Sequence, residues 1–407
     1  MTRMDDPAHH RWLATEASRL ISFHRHAVDP AGGFCWLDDH GRAIPGEPTY
    51  LWITTRMVHC FALAHLLGDS SAARLVDHGL AALHGCLRDP VHGGWFWSAG
   101  PDGPVDDSKH AYGHAFVLLA ACSAVHAGRP AARRLMDEAI DVIDQRFWRD
   151  SDRLCVDSYS RDWQQLAPYR GANANMHMTE AFLAAAEATG EQSWVDRAEA
   201  IAGRIIAQAT AANQWRLPEH FDVRWRPLPD YNANRVRDPF RPYGSTIGHW
   251  LEWARLVTRL HGIPRVSAEW MLPAAVTLFD KAVAEGWDQR RGGFIYTVDW
   301  AGQPVITDRM HWVLAEAIAV AVALYRATGN PRYDQWYSAF WDYAEQQFID
   351  HRHGSWIPQL DRDGQRATEP WRGKPDLYHA LQATLLARIP PTHGAAAALA
   401  NGHLTRG

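Results

Sequence analysis

The chain has 407 residues, a formal net charge of −5 and 47% hydrophobic residues, 20 of its residues being tryptophan. That balance supplies no basic footprint for nucleic acid, and the longest apolar run, AIAVAVALY, is far short of a bilayer span. Cys35, Cys60, Cys86, Cys122 and Cys155 are odd in number and form no CxxC pair, and MTRMDDPAHHRW lacks the apolar segment of a signal peptide, so a cytoplasmic protein with reduced thiols is expected.

Along the chain, apolar helical stretches end at a glycine: HLLGDS at Gly68, HAGRP at Gly128, EATGEQ at Gly190, LHGIP at Gly262 and RATGNP at Gly329, at intervals of 60, 62, 72 and 67 residues. Glycine just past a helix, often with proline following, is a stop signal. A second, amphipathic stretch follows each stop, as in SAARLVDHGLAALHGCL and AARRLMDEAIDVIDQRFW. Glycine–aromatic stretches come after some of these: HGGWFWS (92–98), RGGFIYT (291–297) and HGSWIPQ (353–359), with AGGFCWL (31–37) ahead of the first inner helix. They read as structural turns.

This period predicts six helical hairpins, and such repeats decide the fold before any other feature. The first helix of a pair is almost wholly apolar (HAFVLLAACSAV, AEAIAVAVALYRA), whereas the second carries Arg, Asp and Glu at surface spacing. Inner helices buried on every side favour closure. The expectation is an all-α (α/α)6 barrel over residues 1–390, with short β excursions in the rim loops; an open α-solenoid is the alternative. The tail 391–407 is low in complexity, is assigned no role, and leaves disorder open.

Polar exceptions occupy one level of the apolar helices. Arg56 lies 12 residues before its glycine stop, His114 lies 14 before, and His177, His249 and Glu316 each lie 13 before; His379, in YHALQATLLARIP, sits at the same level. In a closed barrel these helix starts share one rim, which predicts one central pocket. Trp52, Asn173 and Trp312 precede Arg56, His177 and Glu316 by four residues, one helical turn. Lys109 and Tyr112 stand ahead of His114, and the His177–Glu180 spacing repeats in His249–Glu252. Aromatic walls with charged and amide hydrogen-bonders suit a sugar. His114 alone reads as a core histidine with Tyr112 as the pocket residue beside it, and Glu180, Glu252 and Glu316 read as groups that orient the histidines or Arg56. HExxH is absent and the histidines fall on separate helices, so spacing neither supports nor excludes a metal. GKP at 373–375 lacks the remainder of a phosphate-binding loop.

The segments LWITTRM (51–57), KHAYGHAF (109–116), YRGANANMHMTEAF (169–182), PYGSTIGHWLEWARL (242–256), HWVLAEA (311–317) and GKPDLYHALQA (373–383) resemble, in order, those of the N-acylglucosamine 2-epimerase superfamily. Within it the likeness is to the aldose–ketose isomerases acting on mannose and related sugars such as lyxose. The resemblance implies an (α/α)6 barrel, acid–base chemistry on a free monosaccharide, no metal and no cofactor. It matches His249 and His379 to the family's acid/base pair and His177 to a third active-site histidine. Arg56, Tyr112, Asn173 and Trp312 match sugar-contacting positions, and Glu252 and Glu316 match acidic residues near the pair.

On this reading His379 moves the carbon-bound proton and His249 handles protons on the sugar oxygens, with Glu252 setting its tautomer. Arg56 stabilises negative charge on O1 or O2, and Trp52 adds an aromatic wall. The same pocket would be a 2-epimerase if the proton returned to the other face of C2. Two further alternatives are a glycoside hydrolase using Glu252 and Glu316 and a non-catalytic sugar-binding protein. No membrane or nucleic-acid partner is expected, and a homodimer is left open.

Overall fold

Two kinds of helix alternate along the chain, as the sequence pattern requires. The computed structural model describes residues 2–266 and 268–405. The helices are α1 (Pro7–His24), α2 (Leu51–Leu66), α3 (Ala72–His84), α4 (Ala111–His126), α5 (Ala132–Val142), α6 (Ala172–Thr189) and α7 (Gln192–Ala202). They continue with α8 (Ile247–His261), α9 (Met271–Gly286), α10 (His311–Thr328), α11 (Arg332–Tyr343), α12 (Tyr378–Leu386) and α13 (Ala395–Ala400). Packing runs α2 on α4, α4 on α6, α6 on α8, α8 on α10, α10 on α12, and α12 back on α2. The ring is closed, and the architecture is an (α/α)6 barrel.

Burial follows composition. Every residue of α2 from Leu51 to Ala64 is buried, whereas α5 buries Leu135, Met136 and Ala139 and exposes Arg133, Arg134 and Asp137, the helical spacing of a one-sided apolar stripe. Each inner helix packs on an outer one that follows it in the chain, except the last. The outer partner of α12 is α1, which buries Leu13, Ala17, Leu20 and Ile21. Glycine spacing carries no trace of this closure, because it joins the two ends of the chain. Gly68, Gly128, Gly190 and Gly329 take the left-handed conformation of a helix stop; Gly262 stays right-handed.

Five inner helices start in the same way. A two-residue strand (49–50, 109–110, 170–171, 245–246, 309–310) pairs antiparallel with a strand of the following rim loop, as Thr49 with Ala99 and Arg170 with Phe221. The first helical amide then donates across that ladder: Leu51 to the Trp97 carbonyl at 3.0 Å, Ala111 to Asp157 at 2.8 Å, Ala172 to Glu219 at 2.9 Å, Ile247 to Tyr296 at 3.0 Å and His311 to Pro358 at 3.0 Å. A backbone carbonyl thus satisfies a donor that a Ser or Thr cap meets elsewhere. The ladders also fix these helix starts, with their polar side chains, under the rim loops.

The stretch 391–407, for which the sequence leaves disorder open, carries α13. Ala395, Ala396, Ala397, Ala398 and Leu399 are buried, with α13 packed against α2, α4, α6 and α12, and the Gly394 amide donates to Glu187 at 2.8 Å. No helix among the described residues is long and apolar enough to cross a membrane. The five cysteines are free.

Candidate active site

Beneath the rim loops lies a pocket of about 790 Å³, its open mouth included, within the size range of small-molecule sites. Trp52, Arg56, Tyr112, Asn173, His177, His249, Glu252, Trp312 and His379 all line it, so the helix-start residues singled out by their common level do converge. Glu316 does not reach the wall. His114 is core: its Nδ1 meets the His110 carbonyl at 2.7 Å and its Nε2 accepts from the Trp95 amide at 3.2 Å, with burial bringing its pKa down to about 3. Lys109 is also buried, its ammonium donating to Asp89 and to the Gly93 carbonyl, both at 3.0 Å.

Two imidazoles of the pocket wall are held alike. His249, in the first turn of α8, places Nδ1 2.9 Å from Glu219 Oε2, and the other Glu219 oxygen accepts the Thr246 amide at 3.0 Å. His379, in the first turn of α12, places Nδ1 3.0 Å from Glu316 Oε1. A carboxylate on Nδ1 selects the Nδ1–H tautomer, so Nε2 is the free nitrogen of each ring. Between the rings stands Trp312, centred 5.4 Å from His249 and 5.6 Å from His379. Gly248 makes this wedge fit, since a Cβ there would lie 2.3 Å from the Trp312 ring.

Glu219 corrects one expectation. The residue three along α8, Glu252, was assigned the tautomer of His249, but its carboxylate lies 3.8 Å from His177 Nδ1 and 3.5 Å from Arg255. The partner of His249 comes instead from the rim loop after α7, where no helical spacing marks it. Asp376, Phe240, Trp371, His311 and Tyr296 likewise reach the pocket, four of them from rim loops and His311 from the first residue of α10.

Arg56 is the cation of the pocket. Its guanidinium donates to Asp376 at 3.2 Å and to the Tyr112 hydroxyl at 2.8 Å and lies 4.5 Å from the Phe116 ring centre and 5.0 Å from that of Tyr378. Burial brings His177 down to about 4, against the pull of Glu180. His379 is also lowered by burial, against the pull of Glu316. Burial pushes Glu316 up, but Arg255 and His379 together outweigh it and hold this carboxyl below its ordinary range. Glu252 goes the other way: burial, then the charge on Glu316, raise it well above that range, which favours its acid form in the pocket wall.

Among the described residues, His177, Glu180 and Glu252 offer ligand atoms within 4.8 Å of one another, the spacing of a metal site. The donor set argues against a cation there. Arg255 already stands 3.4 Å from Glu180 and 3.5 Å from Glu252, and Tyr378 donates its hydroxyl to the other Glu180 oxygen. The hydrolase arrangement is not built either, because Glu316 lies behind His379, bound to it and to Arg255.

The family model for N-acylglucosamine 2-epimerase (GlcNAc 2-epimerase) matches residues 32–383. The chain belongs to this family. Within the N-acylglucosamine 2-epimerase family it is 48% identical over 399 residues to the D-mannose isomerase of Pseudomonas cannabina pv. alisalensis, covering 97% of this chain and 96% of that protein. It is 48% identical over 398 residues to the D-mannose isomerase of Thermobifida fusca, covering 97% of each. A crystal structure of D-mannose isomerase superimposes with a TM-score of 0.86 at 32% identity, covering 92% of this chain and 96% of that one. The pocket of this family member is therefore built on the same barrel as that D-mannose isomerase structure.

Proposed function

We propose that the chain is an aldose–ketose isomerase that interconverts D-mannose and D-fructose, with related aldoses such as D-lyxose as further substrates. Near-full-length identity to proteins named D-mannose isomerase supports the substrate class. The observation that carries the chemistry is the pair of pocket imidazoles, each held at Nδ1 by its own carboxylate.

Isomerisation needs an opened sugar ring, a base for the C2 proton and an acid for the carbonyl oxygen. Histidine titrates near neutrality and serves as either. His379 Nε2 removes the C2 proton. The C2–H electrons form the C1=C2 bond, and the carbonyl electrons pass to O1, which takes a proton from Glu252, while the unprotonated Nε2 of His249 accepts from the O2 hydroxyl. The intermediate is a cis-enediol. The O2 proton then passes by way of His249 to the Glu252 carboxylate, forming the C2 carbonyl, while His379 returns its proton to C1, so atoms and charge balance. Arg56, charged and held by Asp376 and Tyr112, stabilises the oxygen that carries negative charge. Tyr112, Asn173, His177, Trp52 and Trp312 position the sugar.

Incubation of the protein with D-mannose, followed by product analysis, tests the reading. Fructose as the main product supports it. Glucose as the main product makes the chain a 2-epimerase, and unconverted mannose with saturable binding makes it a sugar-binding protein.

A further inference from the structure

Arg255 lies outside the pocket lining, and no step above uses it. Its side chain is 8% exposed, and a guanidinium so deep persists only with anionic partners. It has three. Its Nε donates to Glu316 Oε2 at 2.7 Å, and its Nη2 stands 3.4 Å from Glu180 and 3.5 Å from Glu252. Only the first contact is short and well directed, and the other oxygen of that carboxylate holds His379. One residue of α8 is thereby tied through α10 to the ring on α12.

We infer that Arg255 is a positioning residue for the isomerisation: by donating to Glu316 it keeps that carboxylate a pure acceptor, which holds the proton of His379 on Nδ1 and leaves Nε2 free to take the C2 proton. The inference rests on the proposed isomerase activity. Without the guanidinium, Glu316 is a buried carboxylate facing Glu252 and Glu180, and burial favours its protonated form. A carboxylic acid donates its O–H to His379 Nδ1. The imidazole proton then moves to Nε2, and the ring can no longer act as a base toward the sugar. The other groups around His379 (Arg56 on α2, Asp376 from the loop before α12, His177 on α6 and His311 on α10) act on its charge but leave its Nδ1 partner unchanged.

Two readouts test this on the full chain, in wild type, Arg255→Gln and Arg255→Lys. Nitrogen NMR of ¹⁵N-histidine protein, with His379 assigned by its loss in His379→Gln, reports the tautomer whether or not the protein turns over mannose. Expected are an unprotonated Nε2 in wild type at pH 7 and a protonated one in Arg255→Gln. Steady-state kinetics should show kcat of Arg255→Gln lowered about 10- to 100-fold, the usual loss on removing an orienting partner, with KM within about threefold because Arg255 does not line the pocket. Should Arg255→Gln fail to fold, Arg255→Lys decides. Lysine keeps the charge but not the directed Nε–H, so a reduced kcat with wild-type KM supports the inference and a wild-type kcat overturns it. An unprotonated Nε2 in folded Arg255→Gln also overturns it. A wild-type protein inactive on mannose, lyxose and glucose would defeat the isomerase reading, and the NMR result would still decide whether Arg255 sets the tautomer.

Discussion

Glu219, on a rim loop, accepts a hydrogen bond from His249 Nδ1 at 2.9 Å while its second oxygen takes the Thr246 amide. Both acceptors are in use, so the amide of Glu219→Gln must leave either the His249 N–H or the Thr246 N–H unmet. The variant is expected to lose about 10- to 100-fold in kcat with KM little changed, as measured by mannose isomerisation. Glu252→Gln, which leaves the Nδ1 partner of His249 in place, should retain the wild-type tautomer of His249 in nitrogen NMR.

Arg56 reaches Asp376 and the Tyr112 hydroxyl with two different nitrogens. A lysine offers a point charge in place of that fork, so Arg56→Lys should lower kcat/KM by about 100-fold, in the range for loss of one preorganised donor. Steady-state kinetics on mannose checks this.

Burial lowers His379 and brings His177 down to about 4. A base with a lowered pKa keeps its neutral form to lower pH, so activity is expected to persist below the ordinary histidine value. The acid limb of kcat/KM, which reports the free enzyme, should fall below pH 6.5. A limb at or above pH 6.5 would assign the essential base to another group.

Gly373 explains the GKP segment. Its φ is +62°, and a Cβ there would lie 2.1 Å from the Leu37 carbonyl oxygen, which accepts the Lys374 amide at 2.8 Å. Lys374 in turn anchors the loop on Asp350 at 2.8 Å and on the Gly354 carbonyl at 2.6 Å, and Asp376 follows. Gly373→Ala should destabilise the fold by about 1–3 kcal/mol, the usual cost of a forced left-handed residue, and raise KM by loosening the Asp376–Arg56 pair. Thermal melting and kinetics measure the two effects.

The barrel was legible because burial of whole helices leaves a one-dimensional mark: apolar α4 and α10 alternate with amphipathic α5 and α11. The pocket was legible for the same reason. A histidine in an otherwise apolar helix start is conspicuous, and the common distance to the glycine stops gathers Arg56, His177 and His249 onto one rim, with His379 at the matching level of the last inner helix. Loops carry no such ruler. Glu219, Asp376, Phe240 and Trp371 enter the site from loops whose path depends on strand pairing with the preceding inner-helix start. Arg255 was hidden by its helix, where an arginine reads as an outward polar residue until the barrel closes around it. The pairing of α1 with α12 joins chain ends, so no local repeat announces it.

The most direct test of the account is incubation with D-mannose in D2O without added metal, followed by NMR of the products, in wild type and His379→Gln. The account predicts fructose carrying solvent deuterium at C1 from the wild type and none from the variant. Glucose labelled at C2 as the main product, or fructose formed by His379→Gln at the wild-type rate, would contradict it.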